Sequence, residues 1–418
     1  MRLLALWLGK FAYIGLRITG SSGAALPGLI TERLYPKTLS RTLATLPKGV
    51  IVVTGTNGKT TSTKMLSHIL AGQYRVLTNP TGSNFTRGVV ASIVKNSNWL
   101  GKLNYDVAVI ELDEAYAVKF VEQYKPEYSL VLNVMRDQMD RFGEIDHTAS
   151  LLKKVAQATT KTLILNADDP RVMGMASSAS CKVKTFGVSE QLRKVFITDD
   201  EMYRTDEIGK RENKVDAELV SLEGGSTKFT LGDNLLDIKL DFFGVYNSQN
   251  AVAVALTASI FGVENNKISD ALRTIKPAFG RGESIIVGNK TIILQLVKNP
   301  GGFRQALMGG LQVDSSKTAV VINDNYADGR DVSWLWDVDF KEHLRGKIIT
   351  SGSRAYDMAI RLTYDEVLVD LIEPTLDKLI HELLTKPAIK ETVLIYSTYT
   401  AMLDIRSKIS KKTDLEEF

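Results

Sequence analysis

A glycine-rich loop between a short apolar run and a helical pattern constrains this 418-residue chain more than any other feature. Residues 50–54 are mostly β-branched and predict a buried strand, and the apolar residues of 63–70 recur at helical spacing. The loop between them reads Gly55-Thr56-Asn57-Gly58-Lys59-Thr60-Thr61. In such a loop, backbone N–H groups and the N-terminus of the following helix bind phosphate oxygens. The sequence therefore predicts an ATP-using enzyme.

The loop also indicates which side chains act on the phosphates. We expect Lys59 to reach the β- and γ-phosphates and Thr60 to bind Mg²⁺. The spacing is a variant, because the longer form of the loop has glycine at the position of Val53. Glu111 is the best candidate for a second metal ligand, since it ends a predicted strand and such strand ends face the ligand crevice of a parallel sheet. The alternative for Glu111 is a solvated acidic turn.

The order of apolar runs and helical stretches predicts the fold class. Further buried strands are expected at 75–78, 107–112, 129–133 and 162–166, with helices at 115–123 and 148–158. This alternation favours an α/β fold with a mostly parallel sheet. Short alternating segments at 195–197, 217–222, 228–231 and 236–240 predict a small antiparallel β insertion within about 183–242. A break near 280–288 leads to a second α/β domain, with strands expected at 291–297, 318–323, 347–351, 366–369 and 392–396.

The first 50 residues are basic and apolar. They contain seven Lys/Arg and one acid, Glu32, whereas the whole chain has a net charge of only +4. Large apolar side chains such as Trp7 and Phe11 lie among the basic ones, so residues 1–17 could contact an anionic membrane surface. The alternative is a helix packed on the protein's own core. No run approaches the roughly 20 apolar residues of a spanning helix. We therefore expect a cytoplasmic protein, peripheral at the inner face of the membrane.

The cysteine content limits the chemistry further. Cys181 is the only cysteine, which excludes an internal disulfide and a cysteine-based zinc site, so we expect no zinc. No histidine lies near it in sequence, and Cys181 therefore reads as a strand residue rather than a nucleophile.

Four motifs beyond the loop resemble segments of the Mur ligase family. They are Asn133 with Asp137-Gln138-Met139-Asp140, Asn166-Ala167-Asp168-Asp169-Pro170, Gly244-Val245-Tyr246-Asn247-Ser248-Gln249-Asn250-Ala251, and Phe279-Gly280-Arg281-Gly282-Glu283. They keep the family's order along the chain. The resemblance implies a central P-loop ATPase domain over 46–285 and a smaller Rossmann-like α/β domain over 286–418, after an N-terminal segment over 1–45.

The same resemblance implies ATP and Mg²⁺ as cofactors and a set of binding residues. Besides loop residues 55–61, it implies ATP contacts for Asn166, Asp168, Asn247, Asn250 and Arg281, and substrate contacts for Asn84, Arg136, Asp137 and Lys298. Gln138 stands where most members have a metal-binding histidine, which weakens the case for a second metal. A carbamylated lysine serves that metal elsewhere in the family. Lys153 or its neighbour Lys154 has the matching spacing, although a surface helix lysine fits equally well.

The second half of the chain resembles one branch of the family, the MurT ligases. The segments that carry this resemblance are Leu296-Val297-Lys298-Asn299-Pro300-Gly301-Gly302-Phe303, the run from Asn323 to Asp337, Ser353-Arg354-Ala355-Tyr356-Asp357, and Tyr399-Thr400-Ala401-Met402-Leu403. The branch implies amidation of the α-carboxyl of D-glutamate in lipid II, with ammonia from a glutaminase partner, GatD. It also implies that a C-terminal aspartate completes the partner's Cys-His pair. Asp337 is the best candidate, with Asp328 and Asp331 as rivals; the alternative is that Asp337 caps a helix or turn.

Two features depart from what other relatives have. Many MurT ligases carry a four-cysteine zinc ribbon, which this chain cannot form. Only about 50 residues precede the loop, too few for the UDP-binding domain of other Mur ligases, and a lipid-linked substrate needs no such domain. Two rival functions remain open on the sequence. One is an amino-acid ligase of the folylpolyglutamate synthetase type, and the other is a non-catalytic ATP-binding scaffold for a glutaminase.

Overall fold

The computed structural model describes residues 1–18, 25–79, 84–136, 145–196, 198, 214–223, 225–240, 244–276, 281–384 and 391–410. Within these residues, three helices precede the first strand. They are α1 (Arg2–Ile18), α2 (Leu26–Leu34) and α3 (Thr38–Leu43). Small residues bring them close to the body of the protein. A Cβ at Gly28 would lie 1.9 Å from the carbonyl oxygen of Arg87, and one at Gly9 would lie 2.2 Å from the Thr31 hydroxyl. The N-terminal segment is therefore packed on the first domain.

The first domain is built on a nine-stranded sheet of order β2-β3-β1-β4-β5-β6-β7-β8-β9. Its strands are β1 (Val50–Thr54), β2 (Val76–Thr78), β3 (Val107–Glu111), β4 (Tyr128–Val131), β5 (Thr162–Asn166), β6 (Lys182–Val188), β7 (Ala217–Glu223), β8 (Ser226–Leu231) and β9 (Asn234–Lys239). The first seven pair in parallel, and β8 and β9 pair antiparallel. Every residue of β1, β3 and β5 is buried, as expected of parallel strands covered on both faces.

Helices cover both faces of this sheet. They are α4 (Lys59–Ala71), α5 (Thr86–Asn96), α6 (Glu114–Gln123), α7 (Ile145–Ala158), α8 (Pro170–Met173), α9 (Val245–Ile260) and α10 (Asn265–Thr274). α9 is buried on nearly all sides and packs on α4, β6 and β7. Small and apolar residues on all sides of α9 fit this central position. The predicted mostly parallel α/β fold is confirmed.

The β insertion expected within about 183–242 continues the main sheet, with its antiparallel pairing at β7, β8 and β9. β6 pairs in parallel with β5, and β7 pairs in parallel with β6, so the sheet continues into the hairpins. The strand expected at 195–197 is wrong for its described part. Val195 and Phe196 donate backbone hydrogen bonds to Leu192 in a turn after a short 3₁₀ helix. Ile197 lies outside the described residues.

The second domain has a six-stranded sheet of order β10-β11-β15-β12-β13-β14, parallel except for β10. The strands are β10 (Arg281–Val287), β11 (Lys290–Leu296), β12 (Lys317–Val321), β13 (Lys347–Ser351), β14 (Leu371–Ile372) and β15 (Glu391–Ser397), and the helices are α11 (Pro300–Gly310), α12 (Ala355–Tyr364), α13 (Leu376–Leu384) and α14 (Tyr399–Ser410). The break expected near 280–288 is itself mostly strand, because β10 forms a hairpin with β11 through Gly288, whose φ is +60°.

One strand of this domain lies elsewhere than expected. The sequence pattern predicts a strand at 366–369, but the short β14 begins at Leu371. Glu366 has a φ of +59°, and the N–H of Val367 donates to the carbonyl of Leu362. The segment therefore closes the end of α12, which alternating apolar residues cannot reveal.

No helix in the described part of the chain is long and apolar enough to cross a membrane.

Candidate active site

The glycine loop joins β1 to α4 and is shaped by two residues with positive φ. Gly55 has a φ of +125° and Gly58 a φ of +88°, conformations that favour glycine. Asn133, which follows β4, fixes the loop from the side. Its Oδ1 accepts from the N–H of Asn57 at 2.8 Å, its Nδ2 donates to the Asn57 carbonyl at 3.0 Å, and its carbonyl accepts from the N–H of Thr56 at 3.0 Å. The motif that contains Asn133 does not by itself indicate this role.

The N-terminal half of α9 closes one side of the loop. A Cβ at Gly58 would lie 2.6 Å from Oδ1 of Asn250, so the asparagine amide occupies the space that any larger residue at position 58 would need. Nδ2 of Asn250 and the hydroxyl of Thr61 are buried and have no hydrogen-bond partner within the described residues. Such atoms carry a cost unless something polar binds them. A bound nucleotide would supply partners for both atoms.

Lys59 is buried and lies over the loop. Its Nζ donates to the carbonyl of Gly55 at 2.6 Å and to that of Thr56 at 3.3 Å, and it pairs with Oε2 of Glu114 at 3.2 Å. The ammonium group is therefore held at the mouth of the loop, where the resemblance places the β- and γ-phosphates.

Thr60 and Glu111 come together as the sequence predicted for a metal site. The Thr60 hydroxyl donates to Oε1 of Glu111 at 2.9 Å, and both side chains are buried. Asn79 fixes Glu111 by bonding both its backbone N–H and its carbonyl at 2.9 Å. Within the described ranges, no group of three or more His, Cys, Asp or Glu could hold a metal by itself. One hydroxyl and one carboxylate fit Mg²⁺, which commonly takes its remaining oxygens from phosphates and water.

Two further acids lie beside this pair. Asp113 caps α6 by accepting from the N–H of Glu114 at 2.8 Å, and its own N–H donates to the carbonyl of Asn84 at 3.0 Å. Burial and the neighbouring Asp113 raise the pKa of Glu114 to about 7, against the opposing effect of Lys59. Burial by itself would raise the pKa of Asp113 as well. Its hydrogen bonds with Glu114 and the charges of Lys59 and Lys298 outweigh burial and lower this pKa to about 2. Burial therefore favours the protonated form of Glu114.

We expect Glu114→Gln to flatten the pH dependence of stability. Folded Glu114 has a pKa of about 7 against an ordinary value of 4.5, so its stabilising effect is present below pH 4.5 and is lost as the pH rises through 7. Glutamine mimics the protonated form at every pH. Between pH 5 and 8 the wild type should lose up to about 3 kcal/mol more than the variant. Urea unfolding at several pH values measures this, and parallel curves for the two proteins would contradict it.

The predicted nucleotide residues Asn166 and Asp168 hold the end of β5. Nδ2 of Asn166 donates to the carbonyl of Leu132 at 3.1 Å, and Oδ2 of Asp168 accepts from the N–H of Val188 at 2.6 Å. Asp169, whose role its motif does not indicate, caps α8 and accepts from the N–H of Val134 at 2.7 Å. These bonds align the ends of β4, β5 and β6, and a role of Asn166 and Asp168 in ATP binding stays a prediction.

The two domains meet at the loop. Asn57 and Asn299 exchange two amide hydrogen bonds, of 3.1 and 3.0 Å, and Asn299 also caps α11 through the N–H of Gly302. Asn299 is fully buried. The cleft beside this contact is lined by Asn57, Gly58, Tyr246, Leu296, Lys298 and Gln305. The predicted substrate residue Lys298 thus lies in one cleft with the phosphate loop.

The three candidate aspartates of the second domain differ in surroundings. Asp328 is buried and accepts from both the N–H and the hydroxyl of Thr400, at 2.6 and 2.5 Å. Asp331 accepts from the N–H of Ser333 at 2.8 Å at the start of a 3₁₀ helix. Asp337, at the end of that helix, pairs with Arg136 of the first domain at 3.0 Å and keeps about 31% of its side chain exposed. The structure therefore favours Asp337 over Asp328 as a group that a partner could reach.

Some predicted residues cannot be placed in this site. Asp137, Gln138 and the side chain of Arg281 lie outside the described residues. Lys153 and Lys154 are both exposed on α7, so neither side chain is enclosed in a site where a carbamylated lysine would bind a metal. Asn247 is fully buried in the first turn of α9, near Asn250.

Comparison with known proteins agrees with this arrangement. The Mur ligase middle domain matches residues 53–258, and the MurT ligase C-terminal domain matches residues 296–402. "Lipid II isoglutaminyl synthase (glutamine-hydrolyzing) subunit MurT" of Streptococcus pneumoniae R6 is 28% identical, over 98% of this chain and 97% of the relative. The protein of the same name from Staphylococcus aureus N315 is also 28% identical, over 88% of this chain and 89% of the relative.

Solved structures resemble the fold across both domains. MurF ligase from Thermotoga maritima in complex with ADP has a TM-score of 0.71 at 16% identity, over 91% of this chain and 84% of that one. MurF from Acinetobacter baumannii has a TM-score of 0.69 at 18% identity, over 91% and 81% of the two chains. The phosphate loop, its helix and the MurT-type second domain identify this chain as a member of the Mur ligase family, in the MurT branch.

Proposed function

We propose that this chain amidates the α-carboxyl of D-glutamate in the lipid II stem peptide, using ATP and ammonia from a partner glutaminase. Membership of the Mur ligase family makes it an ATP-dependent ligase of peptidoglycan synthesis. The observation that carries the proposal is the contact between Asn57 and Asn299. It brings the phosphate loop of the first domain against the MurT-type segment of the second, in one cleft.

The reaction needs an activated carboxylate, since a free carboxylate is a poor electrophile. A carboxylate oxygen attacks the γ-phosphorus of ATP, the bond to the ADP oxygen breaks, and an acyl phosphate forms. Ammonia then attacks the carbonyl carbon, the C–N bond forms, inorganic phosphate leaves, and the nitrogen loses a proton. Both steps depend on positioning and on charge stabilisation more than on covalent chemistry by the protein.

The site supplies these needs through a few named groups. Lys59 would stabilise charge on the transferred phosphoryl group, and the loop amides would hold the phosphates. Mg²⁺ bound by Thr60 and Glu111 would neutralise phosphate charge. Lys298, which lines the cleft, and Arg136, which pairs with Asp337 of the second domain, would bind the anionic stem peptide. Asn84, whose carbonyl fixes Asp113, would lie near the carboxylate to be activated.

The ammonia must come from elsewhere. Burial raises the pKa of the chain's single thiol, Cys181, which is the reverse of what a glutaminase nucleophile requires. The MurT relatives are named as subunits, which supports a partner subunit. We propose a GatD-like glutaminase, with Asp337 donated to its Cys-His pair. Because lipid II is anchored in the membrane, the complex would work at the inner face of the membrane.

Co-purification of this chain with the glutaminase, followed by mass spectrometry of lipid II, tests the proposal. We expect an amide at D-glutamate that requires ATP and either glutamine with the partner or ammonium chloride without it. The free chain with ammonium separates the alternatives. Amidation there identifies a ligase, whereas no turnover even with partner and glutamine would favour the scaffold function, and addition of an amino acid would favour a ligase of the folylpolyglutamate type.

A further inference from the structure

Helix α1 has two apolar faces, and only one of them is used inside the protein. Ala5, Leu6 and Gly9 are buried against the first domain. The other face exposes large apolar side chains at helical spacing. Leu4 is 50% exposed, Trp7 41%, Leu8 42%, Phe11 60% and Ile14 42%. The packed helix therefore satisfies only part of the apolar pattern that residues 1–18 contain.

A turn from a distant part of the sequence enlarges this exposed face. Trp99 and Leu100 are 52% and 67% exposed, and they follow α5. The indole N–H of Trp7 donates to the carbonyl of Trp99 at 2.8 Å, and the rings of Phe11 and Trp99 lie 5.9 Å apart. Arg2 donates to the carbonyl of Gly101 at 2.8 Å. Helix and turn thus form one continuous surface, called here the α1–Trp99 surface.

The charged residues that belong to this surface are all basic. α1 and the turn at 97–102 contain four Lys/Arg and no Asp or Glu, in a chain whose net charge is only +4. Glu32 of the neighbouring α2 is paired with Arg87 at 3.6 Å. Arg17 and Lys102 are exposed at its margins, and Nζ of Lys10 lies 5.5 Å from the Trp99 ring centre. Large apolar residues with tryptophans, bordered only by basic groups, are typical of protein surfaces that lie in the headgroup region of an anionic bilayer.

We propose that the α1–Trp99 surface is a docking site for an anionic lipid bilayer. α1 would lie in the plane of the interface, with Phe11 and Leu100 inserted among the acyl chains and Arg17 and Lys102 at the lipid phosphates. The proposal rests on the proposed function for its biological purpose, since it would bring the cleft to a lipid-linked substrate. The bilayer binding itself requires neither ATP nor that substrate.

Vesicle flotation of the full chain tests the proposal without any ligase reaction. Vesicles of phosphatidylcholine alone are compared with vesicles that contain phosphatidylglycerol. We expect binding to the anionic vesicles, weakened by salt, and a loss of more than about tenfold in affinity in the double variant Phe11→Ser, Leu100→Ser. Arg17→Glu should also weaken binding. The matched control is Leu235→Ser, at an apolar residue 64% exposed on β9, which should bind as the wild type does.

Three results would overturn the proposal. They are no binding of the wild type to anionic vesicles, equal binding by the double variant, or self-association of the wild type through this surface in place of vesicle binding. Thermal unfolding of each variant shows whether the fold is retained; these side chains are exposed, so little change is expected. If vesicles bind normally but lipid II is never amidated, the proposed function fails while the docking site stands.

Discussion

Replacing Lys59 by methionine is expected to lower the rate of ATP-dependent amidation by on the order of 10³-fold. The ammonium group of this lysine is held directly at the loop, through the carbonyls of Gly55 and Thr56. Methionine keeps much of the length of the side chain and removes its charge. The protein should still fold, because Glu114, which loses its partner, has a raised pKa and can stay protonated. Phosphate release with lipid II and ammonium chloride measures the effect.

The control for this prediction lies one turn further along the same helix. Lys64 is exposed on α4, so Lys64→Met removes the same charge from the same element away from the loop. It should leave the rate nearly unchanged. A Lys59→Met variant that retained most of the wild-type rate would show that the loop does not handle the transferred phosphoryl group. Calorimetric titration with ADP would then tell whether the loop binds nucleotide at all.

Replacing Asp337 by asparagine is expected to separate two activities of the complex. Glutamine-dependent amidation should fall by about 10²–10⁴-fold, the scale on which a catalytic triad loses activity when its aspartate is neutralised. Amidation with ammonium chloride should be largely kept, because asparagine is nearly the same size and still offers an acceptor to Arg136, which Asp337 pairs with at 3.0 Å. Parallel assays with the two nitrogen sources measure the split.

The rival aspartates supply the controls. Asp331→Asn affects a group that accepts one local hydrogen bond, from Ser333, and should leave both activities intact. Asp328→Asn is a poor probe, since Asp328 is buried and holds Thr400 by two hydrogen bonds, so its loss would lower stability first. Equal loss of both activities in Asp337→Asn would place Asp337 in the ligase site. A split produced by Asp331→Asn would instead assign the role to Asp331.

The local parts of the site were predictable because they depend on neighbours in sequence. The strand at Val50–Thr54, the glycine turn and the helix that starts at Lys59 follow one another directly, and the structure has them where the pattern placed them. Glu111 ends its strand for the same reason. Parallel pairing of β1 with β3 then brings Glu111 to the edge where Thr60 lies in the first turn of α4.

The supporting residues were missed because their partners are far away in sequence. Asn133 shapes a loop about 75 residues before it, and Asn79 fixes Glu111 across more than 30 residues. An asparagine in a polar turn gives no sign of which backbone it will bond. The same holds for the β insertion, because only pairing of β7 with β6 makes it part of the main sheet.

By itself, the sequence determined the phosphate loop, the α/β class, the family and the absence of a second thiol beside Cys181. Each follows from residue types and short spacings, which local geometry converts directly into structure. Only the tertiary structure decided that Asn57 meets Asn299, that Asp337 faces Arg136, and that Trp99 joins the exposed face of α1. These contacts join segments 92 to 242 residues apart, and they form only when whole helices and sheets pack together.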